Sequence, residues 1–408
     1  MGLILTRSPY HVSRRGLDAG ASLQVKIGRG SNSGGMGSVY QTYQLSFRNN
    51  YFVDISSLIA SEFIDEYFVT GTGDYFNLRN GKFQNRPLLV ELTFDGFDGG
   101  VAQTTYVETH YALDGYLYNT DPHSHDFTDT IHNNGSYAGS SDVIYKLDDA
   151  PLEIPRILLV DLNVARADLV DNYVSVALYK NGELLEVFNN DDVSNSDGAT
   201  GFSSDYSAPY TFLSFQQRVE IQNGIYERNK CIEAFLEEFK LLDVDKVIIS
   251  NKYSSKVLTV NTIEACKYSP YKLIFKNRFG VKESLWFFKK SKRSLKVTSE
   301  DFRANQLQQR IAGVETAVDN TVRSMQQYNK NGVESVTLNS GFVVEALNES
   351  FKQLMLSEEV TLFDYDNNVS QAVNVKNGEF KYKTSVNDKL INYSIDLEMS
   401  NNIIDDIA

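Results

Sequence analysis

Cysteine, tryptophan and cationic charge are all in short supply, and each shortage removes a class of protein. Two cysteines in 408 residues, Cys231 and Cys266, cannot staple a disulfide scaffold; both are expected to be reduced and buried. No apolar run approaches the roughly 20 residues of a membrane helix, so no membrane insertion is expected. Met1 to Tyr10 lacks the long apolar core of a signal peptide. Met1 to Thr6 fits only the loose N-myristoylation pattern, which recurs by chance. With 39 Lys and Arg against 53 Asp and Glu, the net charge of −14 argues against nucleic acid as the primary ligand, because phosphate neutralisation needs a cationic surface. Catalytic signatures are missing too: there is no nucleophile elbow, no His-Glu-x-x-His helix and no phosphate loop. No enzymatic activity and no cofactor are expected.

What is abundant points to strands. Tyr and Phe supply 24 residues each against a single Trp, alongside plentiful Asn, Ser, Thr and Val. A mainly β, multi-domain, β-sandwich-like architecture with a few short amphipathic helices is predicted. Its expected divisions are a β-sandwich-like domain over 1–150, a second β-rich domain with one helix over 151–267, and a β-rich domain with an amphipathic helix over 268–408.

The most strongly written element is a hairpin over 271–288. Tyr271, Leu273 and Phe275 alternate with Lys272, Ile274 and Lys276, then Asn277 to Gly280 supplies turn chemistry. The return arm carries Leu285, Trp286, Phe287 and Phe288 in a row, which requires cover on both faces. Nine Lys or Arg face one carboxylate between Tyr271 and Lys296, a basic patch in an acidic chain. From Asp142 to Asp205 the balance reverses, with thirteen Asp or Glu against four Lys or Arg.

In chain order, strands are predicted over 3–12, 21–27 and 39–47, with the glycine-rich stretch Gly28 to Gly37 read as a hairpin loop rather than a phosphate cradle. A strand at 52–55 leads into a short helical turn within 56–66, followed by strands at 88–94 and 104–118. Asp121, His123, His125, Asp126, Asp129 and His132 hold ligand types that suit zinc, manganese or iron, but their polar loop setting favours a solvated loop. The carboxylates of 189–197 likewise lack the ligand spacing of a calcium loop. Asn181-Gly182 between apolar arms predicts a hairpin. Ile232, Phe235, Leu236, Phe239 and Leu242 fall at helical spacing, predicting a helix over 229–242. The stretch 300–325 reads as either a helix or an extended arm. Strand 335–338, a turn at Asn339 to Gly341, a helix over 343–358, and strands at 360–363, 372–375, 380–384 and 390–397 complete the chain.

Three strings carry a family likeness: Glu334 to Val343, Lys352 to Glu358, and Tyr382 to Tyr393. Together with the hairpin and the opening Thr6-Arg7-Ser8-Pro9-Tyr10, they resemble virion structural proteins of phages and prophages of Bacteroidetes bacteria. The resemblance is densest over 268–398 and slight in the acidic middle. It implies a non-enzymatic, repeated subunit of a tail, baseplate or head–tail connector. Such a subunit would be assembled in the bacterial host cytoplasm and reside in the virion, in a ring or tube with copies of itself and other virion proteins. Its expected subunit interface comprises Lys289, Lys290, Lys292 and Arg293 with Trp286 and Phe342, the basic patch meeting the acidic region of a neighbour. The alternative is a host-receptor or glycan-binding protein at the tail tip, with tyrosines of 106–118 and 203–210 stacking on a host surface glycan.

Overall fold

The computed structural model describes residues 3–14, 16–18, 20–30, 36–47, 51–63, 88–102, 106–121, 133–161, 174–189, 230–239, 243–251, 254–264, 267–303, 324–379, 381–384 and 391–403. The chain is mainly β, with several sheets and short helices, as its composition predicts.

The first stretch contains β1 (Leu3–Leu5), β2 (His11–Ser13), β3 (Ser22–Gly30), β4 (Met36–Ser46), β5 (Phe52–Asp54), helix α1 (Ser56–Ala60), β6 (Leu88–Asp95), β7 (Phe97–Asp98), β8 (Val101–Ala102) and β9 (Tyr106–Leu113). Five strands form a sheet in the order β1-β9-β6-β3-β4, with β1 parallel to β9 and the other pairs antiparallel. Leu23, Val25 and Ile27 alternate inward from β3 and are completely buried, the period-2 pattern of a strand with one covered face. The loop expected over Gly28 to Gly37 is strand at both ends, with 28–30 in β3 and 36–37 in the antiparallel partner β4; residues 31–35 lie outside the described residues. The strand predicted over 3–12 is two strands instead. Ser8 N donates to Leu5 O, closing a turn, and Ser8 Oγ accepts from Leu117 N at 2.7 Å.

The second sheet has the order β10-β16-β15-β12-β13, from β10 (Val143–Leu147), β12 (Val174–Lys180), β13 (Glu183–Asn189), β15 (Lys246–Asn251) and β16 (Ser255–Ile263). Thus β10 joins this sheet although it precedes residue 151. The Asn-Gly turn forms with Asn181 at φ 51° and Gly182 at φ 85°, the pair of positive angles that a tight hairpin requires. Between these strands in sequence run β11 (Leu152–Asp161) and β14 (Lys230–Phe239), which pair as a separate antiparallel ribbon.

That ribbon corrects the helix predicted over 229–242. Leu236 and Phe239, three residues apart, project from opposite faces of β14, and both are buried. Partner β11 is buried continuously from Leu152 to Ile157. A strand covered on both faces has no reason to alternate, so its apolar spacing matched a helix by coincidence.

The third sheet is seven-stranded, in the order β18-β17-β21-β22-β23-β20-β19. Its strands are β17 (Tyr271–Lys276), β18 (Lys282–Phe287), β19 (Lys292–Arg303), β20 (Met325–Val343), β21 (Val360–Asp364), β22 (Val369–Val375) and β23 (Ile391–Met399). A 3-10 turn at Glu345–Leu347 leads into α2 (Asn348–Leu356), within the predicted 343–358. Its stripe of Leu347, Phe351 and Leu354 is buried on the sheet, with the Phe351 ring 6.1 Å from Phe287 and 4.5 Å from Tyr393.

Two smaller expectations change here. The predicted turn at Asn339 to Gly341 is a bulge within the continuous strand β20: Gly341 takes φ 70°, and Asn339 Oδ1 accepts from Gly341 N. Residues 381–384 are not in a strand. Lys383 N instead donates to Tyr393 Oη, and its ammonium to Asn392 O, so side chains replace a ladder.

The tip of the 271–288 hairpin joins the third sheet to the first sheet and to the β11–β14 ribbon. Phe279 and Val281 pack with Leu3, Leu5, Leu89, Tyr111 and Leu113 of the first sheet, and with Ile157 of β11. Gly280 supplies the positive φ, 77°. A side chain at Gly115 has no room, since a Cβ there would lie 2.5 Å from Arg278 O. Beneath the tip, buried Glu283 accepts from Ser140 N and from Asn277 Nδ2, and Ser140 Oγ lies 2.6 Å from both Glu283 and Ser350.

Burial pushes the Glu283 carboxyl above its ordinary value of 4.5, against the hydrogen bonds from Ser140 and Asn277. A raised value in the folded state favours the protonated form. Its stabilisation is therefore complete below 4.5 and is lost as pH rises through the raised value. Glu283→Gln, uncharged throughout, will narrow the difference in Tm between about pH 5 and about pH 8. An unchanged pH slope in thermal unfolding would refute that assignment.

Candidate assembly surface

The basic patch read from the sequence divides into two populations. Lys272, Lys276 and Lys282 are buried and committed to carboxylates. Lys272 lies 2.5 Å from Glu153; Lys276 lies 2.6 Å from Asp114 and 2.9 Å from Glu359; Lys282 also pairs with Glu359. The two carboxylates beside Lys276 outweigh its burial and raise its pKa. Arg278 meets Asp121 at 3.0 Å. These cations bind the hairpin to the rest of the molecule and offer nothing to a neighbour.

The second population is exposed. Lys289 and Lys290 occupy the bend after β18, and Lys292 and Lys296 lie on β19. Arg293 is half tied down, within 3.1 Å of Tyr271 Oη and 3.4 Å of both Asp364 and Glu334. The Tyr271 hydroxyl and the two carboxylates raise its pKa. Phe342 is 57% exposed and adjoins Gly341, where a Cβ would press on Phe288 and Lys289. Lys289 N donates to Asn339 O, and Lys292 stands opposite Thr337. The bend, the start of β19 and the β20 bulge therefore form one continuous surface.

Trp286 does not belong to it. At 6% exposure it packs on Leu147 and Ala150, with Tyr365 edge-on at 5.4 Å. Its place in the expected interface is corrected: an apolar side chain covered within the chain presents no face to another subunit. The same packing sets a face of β18 against Leu147 and Ala150, whereas β19, at the other end of the sheet, is exposed along its length.

That edge is long. All twelve residues of β19 are exposed, and β20 is its one neighbouring strand among the described residues. The two strands run on past the end of β23 as a ribbon. Leu295 and Val297 are at least half exposed on it, and Phe302 and Tyr328 meet edge-to-face at 5.6 Å. For 300–325, the ends at 300–303 and 325 are strand; residues 304–323 lie outside the described residues. The alternation of Leu295 and Val297 with the polar Ser294, Lys296 and Thr298 was available in the sequence, but nothing local identified the strand as an edge.

The other candidates fare differently. The histidine loop at 122–132, Cys266, the side chain of Cys231, the carboxylates beyond Asn189 and the tyrosines of 203–210 lie outside the described residues. Asp121 is occupied by Arg278 and Tyr118 N. Among the described residues, no three His, Cys, Asp or Glu converge as a metal set, and no helix is long and apolar enough to cross a membrane. Tyr111 and Tyr116 are buried, and Tyr118 lies under Lys352 at 3.5 Å while donating to Glu349. Those three rings are engaged in joining parts of the fold, so none is a free platform for a sugar. No family model matches the sequence, and no curated protein is significantly similar to it.

Proposed function

We propose that this protein is a non-enzymatic structural subunit of a phage virion, present in many copies in a tail, baseplate or head–tail connector. The observation that carries the reading is β19, a fully exposed strand at the edge of the largest sheet. An edge of that length with half-exposed leucine and valine is a template for another strand, and proteins that act alone shorten or cover such edges. Two further features support it. The buried ion pairs of the hairpin give a rigid body, and the separation of an exposed basic surface from an acidic middle suits a head-to-tail contact. The likeness of 334–343, 352–358 and 382–393 to phage virion proteins supplies the setting.

Native mass spectrometry across concentration and salt tests the proposal. Defined oligomers that loosen as salt increases are expected, because exposed charges are screened over about 8 Å at physiological ionic strength. A strict monomer under every condition, together with absence from purified virions, would overturn it.

A further inference from the structure

We infer that the partner of β19 is β13 of a second copy, added edge to edge in antiparallel register; the inference rests on the repeated-subunit reading. Among the described residues both strands are outermost in their sheets, β13 in the second and β19 in the third. Their charges are opposite where they would meet, with Glu183 and Glu186 on β13 and Lys292, Arg293 and Lys296 in the first half of β19; Glu300 and Asp301 lie beyond the contact.

The register follows from the pairings each strand already makes. On β13 the ladder shifts between Leu178 and Tyr179, so that Glu183 faces Lys180, Leu184 faces Tyr179 and Glu186 faces Leu178. Leu185 is the extra residue, and the bulge brings Glu183 and Glu186 onto one face although they are three apart. Leu184, 53% exposed, points to the other face. On β19, Lys292 and Lys296 share a face by period 2, and Leu295, 55% exposed, takes the opposite one. Placing Glu183 opposite Lys296 then puts Leu184 opposite Leu295 and leaves Glu186 diagonal to both lysines. Charge meets charge on one face and leucine meets leucine on the other.

The same charges discourage one alternative and leave another to the test. Two copies of β13 would oppose glutamates, an unfavourable cross-strand pair, whereas two antiparallel copies of β19 can set Lys292 and Arg293 against Asp301 and Glu300 and would form no crosslink through Leu184→Cys. A contact between different edges is heterologous, and it closes into a ring or continues as a tube.

Two charge-reversed full-length proteins, Lys292→Glu/Lys296→Glu and Glu183→Lys/Glu186→Lys, test the pairing by native mass spectrometry. Each alone is expected to raise the concentration needed for assembly about tenfold or more. An equimolar mixture is expected to restore it, since the reversed β19 of one variant fits the reversed β13 of the other, and their two unaltered edges fit each other. Oxidising a mixture of Leu184→Cys and Leu295→Cys proteins is expected to yield a covalent dimer that neither gives alone, because directly opposed strand residues are within disulfide reach. If both charge variants assemble like the natural protein, this pairing is wrong and the repeated-subunit reading stands. If the natural protein stays monomeric throughout, the pairing fails, and the repeated-subunit reading then stands or falls with the protein's presence in purified virions.

Discussion

Lys272→Met will destabilise the protein by about 3–5 kcal/mol, the cost of removing one partner from a buried ion pair. The Lys272 ammonium is 2.5 Å from Glu153, with the two side chains only 4% and 3% exposed. The faces of Trp286 and Phe363 flank it at 5.4 and 5.2 Å. Glu153 Oε2 has no hydrogen-bond partner among the described residues, so this carboxylate depends on the lysine. Without it, a charge is left in an apolar setting between β11 and β17. The double replacement Lys272→Met/Glu153→Leu removes both charges and is expected to recover most or all of the loss. Urea unfolding measures both variants. A single mutant within about 0.5 kcal/mol of the natural protein, the range of an ordinary surface change, would contradict the argument.

Asn277→Ala is the second large effect, about 4 kcal/mol. Its side chain is completely buried and meets four partners: Oδ1 accepts from Phe279 N and Val281 N, while Nδ2 donates to Ala138 O and Glu283 Oε2. Alanine leaves two backbone donors, a carbonyl and a buried carboxyl short of partners, at about 1–3 kcal/mol for each group that water does not reach. The hairpin tip will lose its shape, and with it the contact to the first sheet. Thermal unfolding accompanied by faster proteolysis between residues 113 and 143 is the expected signature. Unaltered proteolysis there would show that the tip does not hold the junction.

Local features of the fold were legible in the sequence, and distant partnerships were not. The Asn181-Gly182 turn, the strands of 271–288 and the buried stripe Leu347, Phe351 and Leu354 depend on residues a few positions apart, where periodicity and turn chemistry act directly. Strand β14 was hidden because its partner β11 lies about 80 residues away, and burial on both faces erased alternation. The basic patch was half misread for the same reason. Lys272, Lys276 and Lys282 find Glu153, Asp114 and Glu359 at separations of 119, 162 and 77 residues, which a local charge count cannot register. Lys289, Lys290 and Lys292 stayed exposed because, among the described residues, no element folds over the bend they occupy. Trp286 was misjudged because a run of four large apolar residues reads the same whether the molecule itself or a neighbour covers it.

The position of the 271–288 hairpin within the chain has a consequence for biosynthesis. Leu3, Leu5, Leu89, Tyr111 and Leu113 are covered by Phe279 and Val281, which leave the ribosome 166 residues after Leu113. At typical elongation rates that interval lasts about 10–30 s, far longer than the first sheet needs to collapse. For that time each nascent chain carries an oily face in water, and several chains on one messenger hold such faces close together. The nascent chain therefore depends on a chaperone, or on fast translation through the acidic middle, until the hairpin arrives to close the gap.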